Sequence, residues 1–354
     1  MKAGSRIRLI GYFLGFAGAV LLTALIVREG ATRVLAALAE ASWAVPVVAA
    51  INVPRMFSDS TAWLALVPKP NRPGFLAAAW IRWVGGSVND LLPTARLGGD
   101  LLTARLATIR GGLPPTLAAG VAVVNMTVSV TMRILVTTGT LLLIAGVTGL
   151  AHLYLPTFAA GLAALLVVLG FYLVQRFGFF RLMTGLISRI NRRFQILERA
   201  LPARPNGGRW SSLTQSGSNF DDTVRGLYSR APALLLCSLF WIFSWLAGCV
   251  ETWVALFALG VHTNFIVALI IETASQSVRS VFFIIPAGLG IFEGGMVMVC
   301  GLLGISGDVA LALSLIRRAR EALFSIPGLI VWQFVEARRV LGRVNNQGEA
   351  VTRP

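Results

Sequence analysis

The chain has 354 residues, of which 56% are hydrophobic and only 13% are charged, whereas about a quarter of the residues in an ordinary soluble domain are charged. This composition excludes a water-soluble globule. The net charge of +16 would indicate a nucleic-acid-binding protein if the chain were soluble, but in a membrane protein it reports the orientation of loops, so no nucleic-acid partner is expected.

Long apolar segments recur along the chain. Leu9–Val27, Phe158–Val174 and Ala231–Leu259 approach or exceed the roughly 20 residues that a helix needs to cross a bilayer. The first of these is longer than the apolar run of a signal peptide and lacks a small-residue cleavage site, so we expect it to remain as the first helix. We therefore predict an all-α, polytopic integral membrane protein with about six to eight transmembrane helices.

The basic residues are spread unevenly over the loops. Residues 176–230 contain ten arginines and three acidic residues, whereas 151–157 and 260–263 contain neither Lys nor Arg. The positive-inside rule predicts that residues 176–230 form a cytoplasmic basic loop and that both basic termini are cytoplasmic. Within this loop, residues 179–200 are predicted to form a basic amphipathic helix on the membrane surface, and the Gly/Ser-rich residues 206–219 a flexible link.

If the N-terminus and the basic loop are both cytoplasmic, the chain must cross the membrane an even number of times between them. However, five apolar segments precede the loop. The conflict disappears if Gly74–Leu92 does not cross the membrane but turns at Pro93 and returns to the cytoplasmic side. Splitting Pro115–Leu150 near Arg133 would also restore parity, but each half would be too short to span comfortably. We therefore predict a re-entrant hairpin and keep the split segment as the alternative.

A second broken element follows in the other half of the chain, where residues 264–303 are interrupted at Pro286. Asp100 is the seventh residue after Pro93, and Glu293 is the seventh residue after Pro286. A long apolar helix precedes and follows each break, and the two halves run in opposite directions, as in transporters whose broken helices meet near the bilayer midplane. The number of crossings leaves open whether residues 264–303 are re-entrant or cross the membrane twice.

The predicted organisation is one membrane domain over 1–354 with two re-entrant elements. The two halves, 44–150 and 231–335, form an inverted repeat, and the loop 176–230 lies between them.

Ionisable side chains lie inside these apolar segments, where each costs on the order of 2.5–3.5 kcal/mol unless it has a partner or a wet cavity. Their concentration beside the two breaks favours a shared polar cavity, and self-neutralising stripes that only pack helices together are the alternative. The residues that we predict to bind the substrate in this cavity are Arg55, Asp59, Arg96, Asp100, Arg105, Glu272, Arg279, Glu293, Arg317 and Arg320.

The first break has the features of an anion site. Pro93 ends the entering half-helix, and the returning helix presents its N-terminal N–H groups and positive dipole end. With Arg96 and Arg105 nearby, a lipid phosphate is the sharpest candidate, because guanidinium forks match phosphate oxygens. Asp100 and Glu293 stand at the starts of the returning helices, so the alternative is that they cap those helices.

The three cysteines are scattered through apolar segments, and the two histidines lack a second ligand at helical spacing. We therefore expect no metal site and no cofactor.

Two stretches of the sequence carry a family resemblance. Pro93 through Gly98-Gly99-Asp100, and Pro286-Ala287-Gly288-Leu289-Gly290-Ile291-Phe292-Glu293-Gly294, resemble the signature stretches of the lysylphosphatidylglycerol synthase transmembrane-region, or flippase-like, family. The resemblance covers nearly the whole chain and implies a lipid-translocating membrane domain with two re-entrant elements. The stretch from Ser314 to Leu329 is similar to the hopanoid-biosynthesis-associated branch. Because the chain ends at Pro354 without the soluble aminoacyl-transferase domain of bifunctional members, lipid aminoacylation is not expected.

We therefore expect a lipid transporter or flippase-like protein of the bacterial inner membrane that moves or binds a polar-headed lipid of anionic or hopanoid type. The alternatives are a membrane-embedded lipid-modifying enzyme and an accessory scaffold of hopanoid biosynthesis. No clear catalytic motif is present, so we expect no enzyme and assign no catalytic residue. The expected partners are membrane lipids and, for a scaffold, enzymes of lipid biosynthesis; the sequence does not define an oligomeric state.

Overall fold

The computed structural model describes residues 42–91, 98–147, 154–178, 208–281 and 290–351, with the single positions 32, 36, 39 and 152. Within these ranges the regular structure consists of ten α-helices and a short 3-10 helix, and no strand is present, which confirms the all-α prediction. The helices are α1 (Ala44–Leu66), α2 (Phe75–Leu91), α3 (Gly98–Ile109), α4 (Pro115–Val147), α5 (Tyr154–Phe177), α6 (Gly208–Tyr228), α7 (Ala231–Ala258), α8 (Phe265–Val281), α9 (Ile291–Leu302) and α10 (Gly307–Val351).

Several predictions concern segments outside the described residues. They are the first apolar helix at 9–27, the amphipathic helix at 179–200, and the two proline-containing breaks at 92–97 and 282–289. For each break, the structure describes the helix that precedes it and the helix that follows it.

Within the ranges that the structure describes, three helices are long and apolar enough to cross a membrane. They are Pro115–Leu143 with 29 residues, Tyr154–Phe177 with 24 and Ala231–Ala258 with 28. The side chains of α5 are mostly exposed, and they include large apolar groups such as Leu155 and Val167. Such a helix is compatible with a lipid environment and not with water. The protein is therefore embedded in a membrane.

Helix α4 runs without interruption from Pro115 to Val147, a length of 33 residues. The alternative in which this segment splits near Arg133 is therefore wrong. Arg133 lies within a continuous helix, and a helix satisfies its backbone hydrogen-bonding groups internally, as a lipid environment requires.

The chain forms two compact units. The first unit consists of Met1–Phe57, Ala79–Thr103 and Ser244–Pro354, and the second of Ser58–Ala78 and Ala104–Phe243. Because the first unit contains segments from both predicted half-repeats, the units do not follow the half-repeat boundaries, which remain predictions.

The second unit buries an apolar core around Trp63, Leu66 and Val121. Helix α6 contributes Val224 and Leu227 to this core. The prediction of a flexible link over 206–219 is therefore wrong from residue 208 onward. The reason is that the C-terminal turns of α6 bury apolar side chains against α4, and this packing outweighs the low helix propensity of Gly and Ser.

Within the first unit, α2 packs against α10 beside Pro327. The indole Nε1 of Trp83 donates a hydrogen bond to the Phe324 carbonyl at 2.9 Å, and a Cβ at Gly328 would collide with the Ser87 side chain. Gly328 lacks a side chain, so this turn of α10 allows α2 to approach its backbone closely.

Candidate functional site

One turn of α10 carries three arginines, and each pairs with a glutamate from a different helix of the first unit. Arg317 pairs with Glu272 of α8, Arg318 with Glu293 of α9, and Arg320 with Glu251 of α7. Helices α7, α8 and α9 follow one another along the chain and surround the second break. This turn of α10 therefore forms ion pairs with all three helices, α7, α8 and α9.

The Arg317–Glu272 pair is the most completely bonded of the three. Nη1 of Arg317 lies 2.7 Å from Oε2 of Glu272, and the two side chains are only 2% and 1% exposed. The same carboxylate accepts hydrogen bonds from the Thr252 hydroxyl at 2.8 Å and from the Gln276 amide at 3.0 Å. A buried ion pair depends on such further hydrogen bonds, and each carboxylate oxygen of Glu272 receives one here.

Glu293 has two roles at the start of α9. One of its oxygens accepts the backbone N–H of Gly290, the N-cap residue of α9, at 2.7 Å. The other lies 2.8 Å from Nε of Arg318. The guanidinium groups of Arg317 and Arg318 also lie over the Phe292 ring, 5.6 and 5.5 Å from its centroid. The helix start therefore holds a buried carboxylate that bonds the N-cap backbone and is neutralised by an arginine.

Glu251 is held differently, between two arginines. Nε of Arg320 lies 3.1 Å from one of its oxygens, and Nη1 of Arg55 lies 3.7 Å from the other. Arg320 is fixed on its other side by a 2.6 Å hydrogen bond to the Asn52 side chain. Glu321 lies 3.6 Å from Arg320 and 3.8 Å from Arg318, and so connects the pairs.

Together these residues form what we call the arginine network. Its arginines and glutamates are equal in number, so its formal charge is zero. It can therefore persist in a low-dielectric environment, while its planar guanidinium forks retain the geometry that binds phosphate or carboxylate oxygens. The members of the arginine network are Arg55, Glu251, Glu272, Glu293, Arg317, Arg318, Arg320 and Glu321.

The first break has a related arrangement at the start of α3. Asp100 is the third residue of α3, as Glu293 is the third residue of α9, and it lies 3.4 Å from Nη1 of Arg82. The Asn89 side chain accepts the backbone N–H of Gly99 at 2.8 Å. The acid that follows each break therefore pairs with an arginine. The backbone N–H at the helix start is accepted by Asn89 in α3 and by Glu293 itself in α9.

Helices α2 and α3 also approach each other closely beside this break. A Cβ at Gly85 would overlap the Thr103 hydroxyl, and one at Gly99 would overlap the Gly85 carbonyl. Only glycine allows this backbone contact, so α3 packs back against the end of α2.

The structure brings together only some of the predicted site residues. Arg55, Glu272, Glu293, Arg317 and Arg320 meet in the arginine network, and Asp100 of the same unit pairs with Arg82. Asp59 and Arg105 belong to the second unit; Arg105 is exposed, and Oδ1 of Asp59 makes no hydrogen bond to any described residue. Arg96 and the side chain of Arg279 lie outside the described residues.

Sequence reasoning omitted Glu251, Arg318, Glu321 and Arg82 from the predicted site. A signal for Glu251 exists, because it precedes Glu272 by 21 residues, as Glu272 precedes Glu293. Three acids at a constant spacing in an apolar region indicate one acid per helix. Arg82 shows a weaker signal, as a cation in the middle of the otherwise apolar start of α2.

Comparison with known proteins identifies the family. The family model described as the lysylphosphatidylglycerol synthase TM region matches residues 9–328. No curated protein and no solved structure matches the chain. The match includes both breaks and every member of the arginine network, and the family is one of membrane proteins related to lipid handling. The chain therefore belongs to the lysylphosphatidylglycerol synthase TM region family.

Proposed function

We propose that the protein is a flippase-like lipid transporter of the bacterial inner membrane, which moves a polar-headed lipid of anionic or hopanoid type between leaflets. Membership of a lipid-related family and the apolar helices support a lipid as the ligand. Both termini and residues 176–230 are cytoplasmic in this proposal, as the distribution of arginines predicts.

The arginine network is the observation that carries the proposal. Its carboxylates Glu251, Glu272 and Glu293 are each at most 1% exposed. Burying ion pairs yields little or no net stability, because desolvation opposes the Coulombic attraction, and apolar side chains would pack these helices at lower cost. Charged groups retained at such a cost in a membrane protein indicate a path or binding site for a polar solute.

The position of the network favours transport over simple binding. It joins helices on both sides of the second break, and the first break has its own paired acid, Asp100 with Arg82. Broken helices with polar groups at their ends form the substrate site in inverted-repeat transporters. In this proposal the headgroup contacts the arginines while the acyl chains stay in lipid. The protein modifies no lipid, and enzymes that make the lipid are its proposed partners.

Mass spectrometry of lipids that co-purify with the full chain tests the proposal. We expect one polar-headed class to be enriched over its share of the host membrane. The enrichment should fall in Arg55→Ala, at the most exposed arginine of the network, and should persist in Arg110→Ala, a control at an exposed arginine outside it. A co-purified lipid profile equal to that of the bulk membrane in all three proteins would contradict the proposal.

A further inference from the structure

Glu251 is the least satisfied of the three buried carboxylates in the arginine network. Neither of its oxygens makes a hydrogen bond of good geometry to a residue that the structure describes, although two guanidinium groups lie 3.1 and 3.7 Å away. Glu272 and Glu293, in contrast, each combine a close arginine with a hydrogen bond from another donor. Glu251 is thus buried and neutralised but poorly bonded.

The two guanidinium groups beside Glu251 are better suited to a phosphate than to this carboxylate. A buried acceptor without aligned donors pays its desolvation penalty with little return. The guanidinium groups of Arg55 and Arg320 come from two helices and converge on one flat carboxylate. The phosphodiester of a phospholipid also carries one negative charge on two non-bridging oxygens, but their tetrahedral arrangement lets each oxygen accept from a different guanidinium group, so it suits this pair of cations better.

The two arginines are positioned to exchange partners. Arg320 is held by Asn52 independently of Glu251. Arg55 is the most accessible arginine of the network, with a side chain 22% exposed against 2% for Arg317. Beside Arg55, α7 carries Gly248, where a Cβ would lie 3.4 Å from Nη1. The missing side chain lets Arg55 and Glu272 lie close to the backbone of α7, and the exposure of Arg55 makes it the first of these arginines that an entering anion meets.

We infer that Arg55 and Arg320 form the binding site for the phosphate of a phospholipid headgroup, and that Glu251 is an internal competitor that occupies this site when no lipid is bound. The inference rests on the proposed function, because it takes a lipid headgroup as the source of the anion. Phosphate binding displaces the Glu251 carboxylate from the two guanidinium groups, and no covalent bond changes.

Removing the competitor should strengthen lipid binding, which is the opposite of what loss of a structural ion pair does. The test titrates the full chain in detergent with short-chain phosphatidylglycerol and follows the tryptophan fluorescence. We expect Glu251→Gln to bind about tenfold more tightly than wild type, since a charge-assisted bond of ordinary strength corresponds to about one decade in Kd. Adding Arg55→Gln should abolish this gain, although it restores the charge balance. Asp222→Asn, at an exposed acid of the second unit, controls for net charge.

Binding by Glu251→Gln that is equal to or weaker than that of wild type would overturn the inference. If Glu251→Gln does not stay folded, Glu251→Asp replaces it, because it retracts the carboxylate and keeps the charge; tighter binding supports the inference, and unchanged binding contradicts it. Inorganic phosphate alone provides a second arm: an equal gain assigns the site to free phosphate, and a gain with phosphatidylglycerol alone assigns it to the lipid. A protein that shows this pattern but transports no lipid would contradict the proposed function and leave the inference standing.

Discussion

Arg317 of α10 and Glu272 of α8 form a buried ion pair with 2.7 Å between Nη1 and Oε2. The pair joins the helix that enters the second break to the helix that carries the arginine turn. It therefore fixes the relation of these two helices, and its loss should affect folding before it affects any ligand.

We expect Arg317→Met and Glu272→Gln each to lower the free energy of unfolding in detergent by about 3–5 kcal/mol, because each leaves one buried charge without its partner. The double variant should lose clearly less than the sum of the two, since it leaves no lone charge. A double-mutant cycle from denaturant unfolding measures this coupling. Strictly additive losses would show that the two side chains do not interact.

Two adjacent glycines of α2 should respond differently to alanine. Gly85→Ala places a methyl group against Thr103 and the Gly99 carbonyl, so we expect a loss of about 1–3 kcal/mol in the free energy of unfolding. Gly86→Ala meets nothing within 4 Å and should be neutral or stabilising, because alanine favours helix. Equal effects at the two positions would contradict the close contact of α2 and α3.

The phenol of Tyr228 should remain protonated well into the alkaline range. Burial raises the pKa of Tyr228 to about 12, and its hydroxyl donates a 2.7 Å hydrogen bond to the Gln175 side chain. In the unfolded chain a tyrosine ionises near pH 10. The unfolded state thus loses its proton first, and the stability that is present below about pH 10 is lost as the pH rises towards 12.

Tyr228→Phe removes this contribution, so its stability should fall less steeply with pH over that interval than that of wild type. Unfolding measured at a series of pH values tests this, with Tyr154→Phe as the control. Identical slopes for Tyr228→Phe and wild type would show that the phenol is not protected by burial.

A cysteine at Ala95 reports the orientation of the first break. In a background without the native thiols, we expect a bulky impermeant maleimide to label it from the cytoplasmic side only, because Lys69, Arg72, Arg105 and Arg110 flank the predicted hairpin and hold it on that side. Cysteines in residues 176–230 serve as the cytoplasmic reference. Rapid labelling from the periplasmic side would exclude the re-entrant hairpin.

The fold class and the family could be predicted from the sequence because they depend on local properties. The length of an apolar run and the spacing of a proline from an acid can be counted along the chain, as at Pro286 and Glu293. The prediction of a flexible link over 206–219 was wrong because it used local composition alone. Gly and Ser favour flexibility, whereas the burial of Val224 and Leu227 in the same helix depends on packing against a helix distant in sequence.

The pairings within the site could not be predicted in the same way. The arginines of α10 lie within one turn, but their spacing along that helix does not show which glutamate each one meets. Glu251 looks like a lone charge in the sequence, and only the tertiary structure brings it between Arg55 and Arg320. Arg82 was missed because its partner Asp100 lies across the break.

Transport in reconstituted vesicles measures the proposed activity most directly. Vesicles that contain the purified chain and a fluorescent phospholipid in both leaflets are treated with an impermeant reducing agent, which bleaches only the outer leaflet. We predict that the protein exposes inner-leaflet lipid, so that bleaching proceeds well beyond the fraction seen in empty vesicles. Bleaching that stops at the empty-vesicle fraction, for phosphatidylglycerol and for the lipid class that co-purifies with the chain, would contradict a flippase.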